Sequence, residues 1–442
     1  MSISKNQRSS VLFGNELCAN SPMFTQAPSL CSFRGTTPDG QPSRIPLTTD
    51  LLSKHLLFLG GIGTGKTNAF CQIVSQLTDS LTNDDIMIVF DTKGDFYREF
   101  FRPGDVVISN DETATGPAAF DYWNIFNELD RGPRQTESVI EISKALFADA
   151  CERTNQIFFP NAAKDLFMAC LLHFVRHYPL EQQTNANFVH YINTSTSSTL
   201  REMVEGYDDL RALSSYIVND DSPQTQGVLS ELQQVVREVF IGNFAQCGTL
   251  SLRNLVKNKG GIRVFIEYDL GIGRMLSPVY SLMFDMAIKE ALSRARTNGN
   301  VYFITDEFKL LPNLSHIDDA VNFGRSLGVK FMVGVQNVEQ IYDNYGEERA
   351  RSILSGFSTT VSFRVNDAAS REYIQGLFGK NQKLESYLPI LQSRGIVENQ
   401  REANVVEDWD IARLQIGEAI IGLPGHEPFV FRFDRYRSRK GD

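Results

Sequence analysis

The sequence predicts an α/β fold with a mainly parallel central sheet and an inserted all-α domain. Short apolar runs alternate with helical patterns in two stretches of the chain, which is typical of parallel strands buried on both faces. Between these stretches, residues 128–247 carry apolar side chains at the spacing of amphipathic helices. The change of hydrophobic period, and its return, predict one α/β domain that a helical block interrupts.

The first α/β stretch begins after residue 50. The apolar run His55–Leu59 predicts a strand, Thr67–Leu81 predicts a helix, and Ile86–Phe90 predicts a second strand. Before them, prolines and glycines interrupt every candidate element. We therefore expect residues 1–50 to form an extended segment, with a hairpin around Pro38-Asp39-Gly40.

The helical block and the second α/β stretch follow. Helices are predicted at 138–150, 162–177, 199–218 and 225–240, whereas the Ser-, Thr- and Asn-rich segment 185–198 predicts a loop. Strands are then predicted at 261–266, 301–305, 331–335, 359–363, 418–423 and 429–433. Helices are predicted between them at 278–296, 315–327 and 347–354.

The composition is that of a globular protein and excludes several classes of function. With 43 Lys+Arg against 53 Asp+Glu, the formal net charge is −10, which argues against coating of nucleic acid by the whole surface but leaves room for a local basic channel. The six cysteines form no C-x-x-C pair, so neither a zinc ribbon nor a thioredoxin-type site is expected. No run approaches the roughly 18 apolar residues of a membrane span, and no signal peptide is recognised.

A glycine-rich motif lies between the first predicted strand and its helix. Residues 60–67 fit the pattern G-x-x-x-x-G-K-[ST], in which backbone N–H groups cradle phosphate oxygens. Lys66 is expected to reach the β- and γ-phosphates of ATP, and the Thr67 hydroxyl to bind Mg²⁺. The helix that follows offers its positive end to the same anion. The expected nucleotide contacts are Gly60, Gly61, Gly63, Thr64, Gly65, Lys66, Thr67 and Asn68.

An acidic pair follows the strand predicted at 301–305. Asp306 and Glu307 would lie at the carboxyl edge of a parallel sheet, where ligands bind. We expect Asp306 to hold Mg²⁺ through water, and Glu307 to orient and deprotonate the water that attacks ATP. Together with Lys66, the pair predicts hydrolysis as well as binding.

Other polar residues could complete this site, each with a simpler alternative. Gln336 ends the next strand and could sense the γ-phosphate or the catalytic water, or be an ordinary polar strand end. Arg325 could reach a phosphate across a subunit interface, or lie on the surface. The turn Asp91–Asp95 could line the site or a neighbouring subunit, or be a solvated turn. The basic tail Arg432–Lys440 could touch nucleic acid, or be a solvated terminus.

In their order along the chain, these motifs resemble those of the type IV secretion coupling proteins of the TraG/TraD kind, in the FtsK–HerA branch of RecA-like P-loop ATPases. The resemblance extends from Gly35 to Asp367. Besides the glycine-rich motif, it is carried by Asp91–Asp95 (D-x-K-G-[DE]), Phe120–Phe126 (W-N-P-F, with Ile125 where proline is usual), Thr249–Arg253, Thr305–Phe308 and Gly324–Gln336.

The resemblance implies a RecA-like nucleotide-binding domain at 51–127 and 248–442, an all-α insertion at 128–247 and an extended segment at 1–50. It implies a homo-hexameric, DNA-dependent ATPase that uses ATP and Mg²⁺ and delivers DNA, or a relaxase–DNA complex, to a secretion channel. Arg325 matches the family's candidate for the arginine that completes a neighbour's site. The N-terminal membrane anchor usual in the family has no counterpart in this sequence. We therefore expect a cytoplasmic protein, or one held at the inner face of the membrane by a membrane-bound secretion component.

Three interpretations of function remain open at this point. The first is a motor that binds and moves DNA, either as a coupling protein or as a HerA-like DNA-processing or defence motor. The second is an ATPase that recruits protein cargo to a secretion system through the helical block. The third is a nucleotide-binding scaffold without turnover, against which the complete set of Lys66, Thr67, Asp306 and Glu307 argues.

Overall fold

The computed structural model of the protein describes residues 8–24, 28–37, 40–110, 121–293, 298–387 and 397–438. The chain divides into two compact units. The first unit comprises Met1–Ser80, Ile304–Lys309 and Lys330–Asp442, and the second comprises Leu81–Phe303 and Leu310–Val329. Each unit combines strands and helices.

The first unit contains two sheets. Its strands are β1 (Arg8–Phe13), β2 (Cys31–Thr36), β3 (Pro42–Leu47), β4 (Leu56–Leu59), the end of β8 (Val301–Thr305), β9 (Val329–Val335), β10 (Thr359–Phe363), β11 (Lys380–Tyr387), β12 (Val397–Asn404), β13 (Glu418–Gly422) and β14 (Phe429–Phe433). Seven strands of the larger sheet follow the order β3-β2-β14-β13-β10-β4-β9. Strand β4 is parallel to β9 and β10, and the pairs from β10 to β3 are antiparallel. The smaller sheet, β1-β11-β12, is antiparallel.

The helix Lys66–Ser80 packs on this larger sheet. The ring of Phe70 lies 4.3 Å from that of Phe58 in β4, and Phe33 in β2 lies 5.1 Å from Phe433 in β14. All four side chains are buried. This aromatic core fixes the start of the helix against the end of β4, where the glycine-rich motif lies. The other helices of the unit are Thr49–Leu52, Glu339–Tyr345, Glu347–Ser355, Ala368–Phe378 and Asp408–Ala412.

The second unit has a parallel set of strands and most of the helices. Its strands β5 (Ile86–Asp91), β6 (Val106–Ile108) and β7 (Ile262–Glu267) pair in the order β5-β7-β6. The helices are Asp95–Phe100, Ile125–Glu128, Gln135–Glu152, Phe158–His177, Asn185–Thr194, Ser197–Glu205, Pro223–Val239, Leu252–Asn258, Gly273–Ala291 and Ile317–Phe323. Residues 128–247, all of them described, contain helices and no strand, as the periodicity predicts.

Two predictions within the helical block are wrong. The segment predicted as a loop, residues 185–198, forms the helix Asn185–Thr194 and starts the next one at Ser197. Thr196, one of the polar residues that suggested a loop, caps the second helix, and Thr184, just before the segment, caps the first: each side chain accepts a hydrogen bond from a backbone N–H of the following turn. The single helix predicted at 199–218 is two elements, because it ends at Glu205 and a 3₁₀ helix follows at Arg211–Tyr216.

The prediction for residues 1–50 is also incomplete. The segment is extended, but it forms β1, β2 and β3 rather than irregular chain. Pro42 and Pro46 lie in β3, which is an edge strand of the larger sheet. Proline is tolerated there because no strand on the outer side needs its missing backbone N–H. Strands β2 and β3 pair as a hairpin would require, although Pro38 and Asp39 lie outside the described residues.

The apolar run Leu166–Val175 lies in the helix predicted at 162–177, which extends from Phe158 to His177. Among the described residues, none of the helices combines the length and the hydropathy that a membrane span requires.

Candidate active site

The glycine-rich motif forms a tight loop between β4 and the helix Lys66–Ser80. Gly63 and Gly65 have φ angles of 73° and 119°, which residues other than glycine rarely adopt. A Cβ on Gly65 would also lie 3.1 Å from the Cα of Gly417. Glycine at these positions turns the backbone so that the loop leads directly into the first turn of the helix.

The loop is braced by neighbouring strands and by one distant turn. The N–H of Gly60 donates to the carbonyl of Val335 (3.1 Å), and that of Gly61 to the carbonyl of Arg364 (3.0 Å). The N–H of Gly417 donates to the carbonyl of Thr64 (2.9 Å). The phosphate-binding geometry is therefore supported by the ends of β9 and β10 and by the turn before β13.

The residues that follow the loop take different roles. The Lys66 ammonium is buried and donates to the carbonyls of Gly60 and Gly61, the latter at 3.2 Å. The Thr67 hydroxyl donates to the Asp306 carboxylate at 2.6 Å. The side chain of Asn68 points elsewhere, because it donates to the carbonyl of Asp434 (3.0 Å) and accepts from the N–H of Tyr436 (2.7 Å).

The acidic pair lies at the end of β8, beside the loop. Asp306 contacts Thr67, and Glu307 accepts a hydrogen bond from the amide of Gln336 at the end of β9. The Lys309 ammonium lies 3.8 Å from the other Glu307 oxygen. The structure thus brings together Lys66, Thr67, Asp306, Glu307 and Gln336 within the first unit.

Glu307 is mostly buried, and its environment changes its acidity. Burial raises the pKa of Glu307 above its usual value, because the charged form loses hydration. The hydrogen bond from Gln336 and the charges of Lys309 and Lys66 oppose this effect, and the charge of Asp306 adds to it. A raised pKa makes the carboxylate a better proton acceptor near neutral pH.

Two candidates belong to the second unit. Arg325 is exposed and lies in the 3₁₀ turn Gly324–Leu327 of that unit. Asp91 is buried at the end of β5 and accepts from the backbone N–H groups of Tyr97 (2.8 Å) and Lys93 (3.3 Å). The Asp91 carboxylate therefore stabilises its own turn.

The motif segments Phe120–Phe126 and Thr249–Arg253 lie next to one carboxylate, that of Glu128, which sequence reasoning did not single out. The fully buried Glu128 accepts from the Trp123 indole N–H (3.0 Å), the Ser251 hydroxyl (3.0 Å), and the N–H groups of Leu252 (2.8 Å) and Arg253 (3.1 Å). These donors include the first turn of the helix Leu252–Asn258, whose free N–H groups favour an anion. The motif is a structural junction, and its first residue, Phe120, lies outside the described residues.

A cluster of possible metal ligands in the second unit also went unrecognised. Glu141, Asp285 and His316 place ligand atoms within 4.8 Å of one another. However, each ring nitrogen of His316 already faces a carboxylate, with Nδ1 2.9 Å from Asp285 and Nε2 3.1 Å from Glu141. A protonated imidazole that donates one hydrogen bond to each carboxylate explains this arrangement without a metal.

Gly334 is the missed residue that bears most directly on the site. A Cβ there would lie 2.9 Å from the carbonyl carbon of Asp306 and 3.0 Å from its Cα. The sequence contained a signal, since glycine inside an apolar strand often marks close approach of another backbone.

Comparisons with known proteins agree with this geometry. The family model described as the type IV secretion-system coupling protein DNA-binding domain matches residues 41–432. Coupling protein TraD of Escherichia coli (strain K12) is 22% identical over 427 residues, which cover 91% of this chain and 56% of TraD. The coupling protein VirD4 of Bartonella henselae is 22% identical over 431 residues, which cover 88% of this chain and 64% of VirD4. The chain thus spans little more than half the length of these curated relatives.

Solved structures are similar over nearly the whole chain. The unbound conjugative coupling protein TrwBdeltaN70 has a TM-score of 0.74 at 18% identity, covering 99% of this chain and 97% of TrwBdeltaN70. TrwB in complex with ADP and Mg²⁺ has a TM-score of 0.72 at 18% identity, covering 97% and 96%. These likenesses confirm the predicted RecA-like α/β fold. Because the family model covers most of the chain, the protein belongs to the family of type IV secretion-system coupling proteins.

Proposed function

We propose that the protein is the ATP-hydrolysing, DNA-binding motor of a conjugative coupling protein. The observation that carries this proposal is the contact between Thr67 and Asp306 beside the pair formed by Glu307 and Gln336. A phosphate loop, a pair of possible metal ligands and a partly buried carboxylate at one sheet edge are parts that phosphoryl transfer to water uses. The family and the nucleotide complexes of TrwB support the same function.

The residues present fit a magnesium ion. The Thr67 hydroxyl and the Asp306 carboxylate are hard oxygen donors already in contact, and Mg²⁺ is usually bound by such groups together with waters and substrate phosphates. When bound, Mg²⁺ neutralises charge on the β- and γ-phosphates. Thr67 and Asp306 are therefore the proposed metal-binding residues.

Lys66 and the loop form the proposed triphosphate site. The Lys66 ammonium now satisfies the carbonyls of Gly60 and Gly61, so it is held over the loop until a phosphate offers a stronger charged acceptor. The N–H groups of Gly63, Thr64 and Gly65 and the start of the helix complete the cradle. Asn68 contributes through its backbone, because its side chain is engaged with Asp434 and Tyr436.

Glu307 is the proposed general base. It would take a proton from the attacking water, and its raised pKa suits that task. Gln336, at the end of β9, donates a hydrogen bond to one oxygen of Glu307. Its proposed role is to orient the same water.

Two substitutions test this assignment. Lys66→Ala should abolish nucleotide binding, measured with a fluorescent ATP analogue, because the main point charge for the phosphates is removed. Glu307→Gln should retain binding and lose turnover, because only the proton acceptor changes. Glu339→Gln, on the exposed start of the helix Glu339–Tyr345, is the matched control and should hydrolyse ATP like the parent. Native turnover in Glu307→Gln would show that another group is the base.

We further propose that the active form is a homo-hexameric ring in which Arg325 completes the ATP site of the adjacent subunit. Exposure of Arg325 supports this role. An arginine supplied to the transition state typically accelerates hydrolysis about 10³–10⁵-fold. Mixing Arg325→Ala with Lys66→Ala subunits should restore partial activity, because mixed rings pair an intact Lys66 with an intact Arg325. Full activity of Arg325→Ala alone would contradict this.

We also propose that the all-α segment 128–247 is a separate domain. Its proposed role is to recruit a relaxase or another cargo protein. This role is supported by a cavity of about 380 Å³ between three helices of the segment, lined in part by Ala150, Phe159 and Gly227. DNA should stimulate hydrolysis if the motor acts on DNA directly. Stimulation by the relaxase alone, without DNA, would favour an ATPase that recruits protein cargo.

A further inference from the structure

The end of the chain is tied to the helix that carries the phosphate loop. We call residues 434–437 the C-terminal strap. The N–H of Asp434 donates to the carbonyl of Arg34 in β2 (2.9 Å), and the carbonyl of Asp434 accepts from Asn68 (3.0 Å) and Gln72 (2.7 Å). The N–H of Tyr436 donates to Asn68 (2.7 Å). The strap is thus a defined structural element rather than a solvated tail.

A cavity of about 280 Å³ lies between the strap, β2 and the helix Lys66–Ser80. It is lined by Arg34, Gln72, Ser75, Gln76, Asp434, Arg435, Tyr436 and Arg437. Arg34, Arg435 and Arg437 are all exposed. Within the described part of the chain, no carboxylate lies at ion-pair distance from any of these arginines. Three guanidinium groups therefore face one carboxylate, that of Asp434, in a protein whose net charge is −10.

The neighbouring strand adds to this positive charge. Arg44 in β3 lies directly opposite Arg34 in the register of β2 and β3. Like charges directly opposite each other destabilise a strand pair. A bound anion would remove this cost.

The remaining polar groups of the cavity have partners already. Gln72 exchanges hydrogen bonds with the backbone of Arg34, and Gln76 with that of Ser32. The Ser75 hydroxyl donates to the carbonyl of Gln72. The arginines are therefore the charged groups left to meet a ligand, and their positive charge and N–H donors match the oxygens of phosphate groups.

We propose that Arg34, Arg435 and Arg437 bind the phosphodiester backbone of DNA, independently of sequence. This inference rests on the proposed function, and it names residues by which the motor holds its substrate. Because the strap is hydrogen-bonded to Asn68 and Gln72, DNA bound at the strap would be linked through it to the helix that begins at Lys66. DNA at the strap would thereby stimulate hydrolysis by acting on the phosphate-loop helix.

The salt dependence of DNA binding tests the proposal. Affinities of the full chain for fluorescein-labelled single-stranded and duplex DNA of random sequence are measured by anisotropy between 50 and 200 mM salt. Each phosphate contact makes the slope of log affinity against log salt more negative by about 0.7 (single strand) or 0.9 (duplex), so removing three contacts should reduce its steepness by roughly 2 to 3. Over this salt range, the loss of affinity should then be about 20- to 40-fold smaller than in the parent.

The variant combines Arg34→Ala, Arg435→Ala and Arg437→Ala, and a second variant carries lysine at the same three positions. Lysine keeps the charge, so the second variant should keep the parental slope. The matched control combines Arg211→Ala, Arg351→Ala and Arg413→Ala, which are exposed to 65–69% and change the net charge equally. Hydrolysis without DNA should be unchanged in the alanine variant, and its stimulation by DNA should be lost.

The outcomes separate this inference from the proposed function. If the parent binds no DNA, the proposed motor function fails, and this inference with it. If the parent binds DNA and the alanine variant retains its slope, only the assignment of these arginines is overturned. The assignment would also be overturned, in favour of a membrane surface, if the alanine variant lost binding to phosphatidylglycerol vesicles but kept the parental salt dependence of DNA binding.

Discussion

Replacing Gly334 by alanine should displace Asp306 and Glu307, the proposed metal ligand and general base, while leaving the proposed nucleotide site in place. Gly334 lies in β9, where a Cβ would meet the backbone of Asp306 rather than a side chain that could rotate away. The Cβ would lie 2.9 Å from the Asp306 carbonyl carbon, which is about 0.5 Å short of the 3.4 Å at which ordinary contact begins. The Asp306 oxygen is closer still, so the end of β8 must move by about 0.5–1 Å.

This displacement predicts a large loss of turnover with a small loss of binding. Catalytic groups must usually be held within about 0.5 Å, and a misplacement of 1 Å can lower the rate about 100-fold. We therefore expect Gly334→Ala to lower kcat about 10- to 100-fold. ATP affinity should change less than about threefold, because Lys66 and the loop glycines are braced mainly by other contacts. Crowding of the core should also reduce stability by about 1–3 kcal/mol.

The assay is steady-state ATP hydrolysis with a parallel measurement of nucleotide affinity and of urea unfolding. The matched control is Gly376→Ala in the helix Ala368–Phe378, where a Cβ meets no atom within 4 Å. Alanine in a helix should stabilise the control by about 0.5–1 kcal/mol and leave kcat unchanged. A native kcat in a folded Gly334→Ala protein would refute the proposal that hydrolysis depends on the accurate placement of Asp306 and Glu307.

Three further predictions concern single groups. Burial raises the pKa of Glu307 and Lys309 opposes it, so Lys309→Met should move the acidic limb of the kcat profile to higher pH, because the base must be deprotonated. Glu128→Ala should reduce the free energy of unfolding by at least about 3 kcal/mol, because it strands four buried donors. Burial lowers the pKa of His316, but Asp285 and Glu141 outweigh it and raise the pKa above its usual value. The contribution of charged His316 to the stability of the folded protein should be complete below the unfolded-state pKa of about 6.5, and it should be lost as pH rises through the folded-state pKa. His316→Gln should remove this part of the pH dependence of Tm.

Each of these has its own control. Lys144→Met, at an exposed position of the helix Gln135–Glu152, should leave the pH profile of kcat in place, and an equal shift there would contradict a local effect of Lys309. Glu181→Ala, at an exposed residue, should change stability by less than about 0.5 kcal/mol. A cost for Glu128→Ala as small as that would show that its donors find other partners. Unchanged pH dependence of Tm in His316→Gln would mean that the histidine is not charged in the folded protein.

The strands around the site could be predicted because their burial on both faces leaves a continuous apolar run. The predicted runs at 55–59 and 301–305 correspond to β4 and β8, in which every residue is buried. By contrast, β11 and β12 have polar sequences and were missed, since a strand with one solvated face gives a weak hydrophobic signal. The helix Asn185–Thr194 was missed because the Asn, Ser and Thr residues in and after it are also typical of loops.

The sequence by itself determined the chemistry of the site. The motif at 60–67, the acids Asp306 and Glu307, and the strand end at Gln336 are local patterns, and their order along the chain indicates a coupling protein. Tertiary structure alone decided which of these groups touch. The Thr67–Asp306 contact joins residues 239 positions apart, and the strap reaches Asn68 from 366 positions away. Such contacts depend on how strands pair and pack, and hydrophobic period reports which face of an element is buried but not which distant residue will cover it.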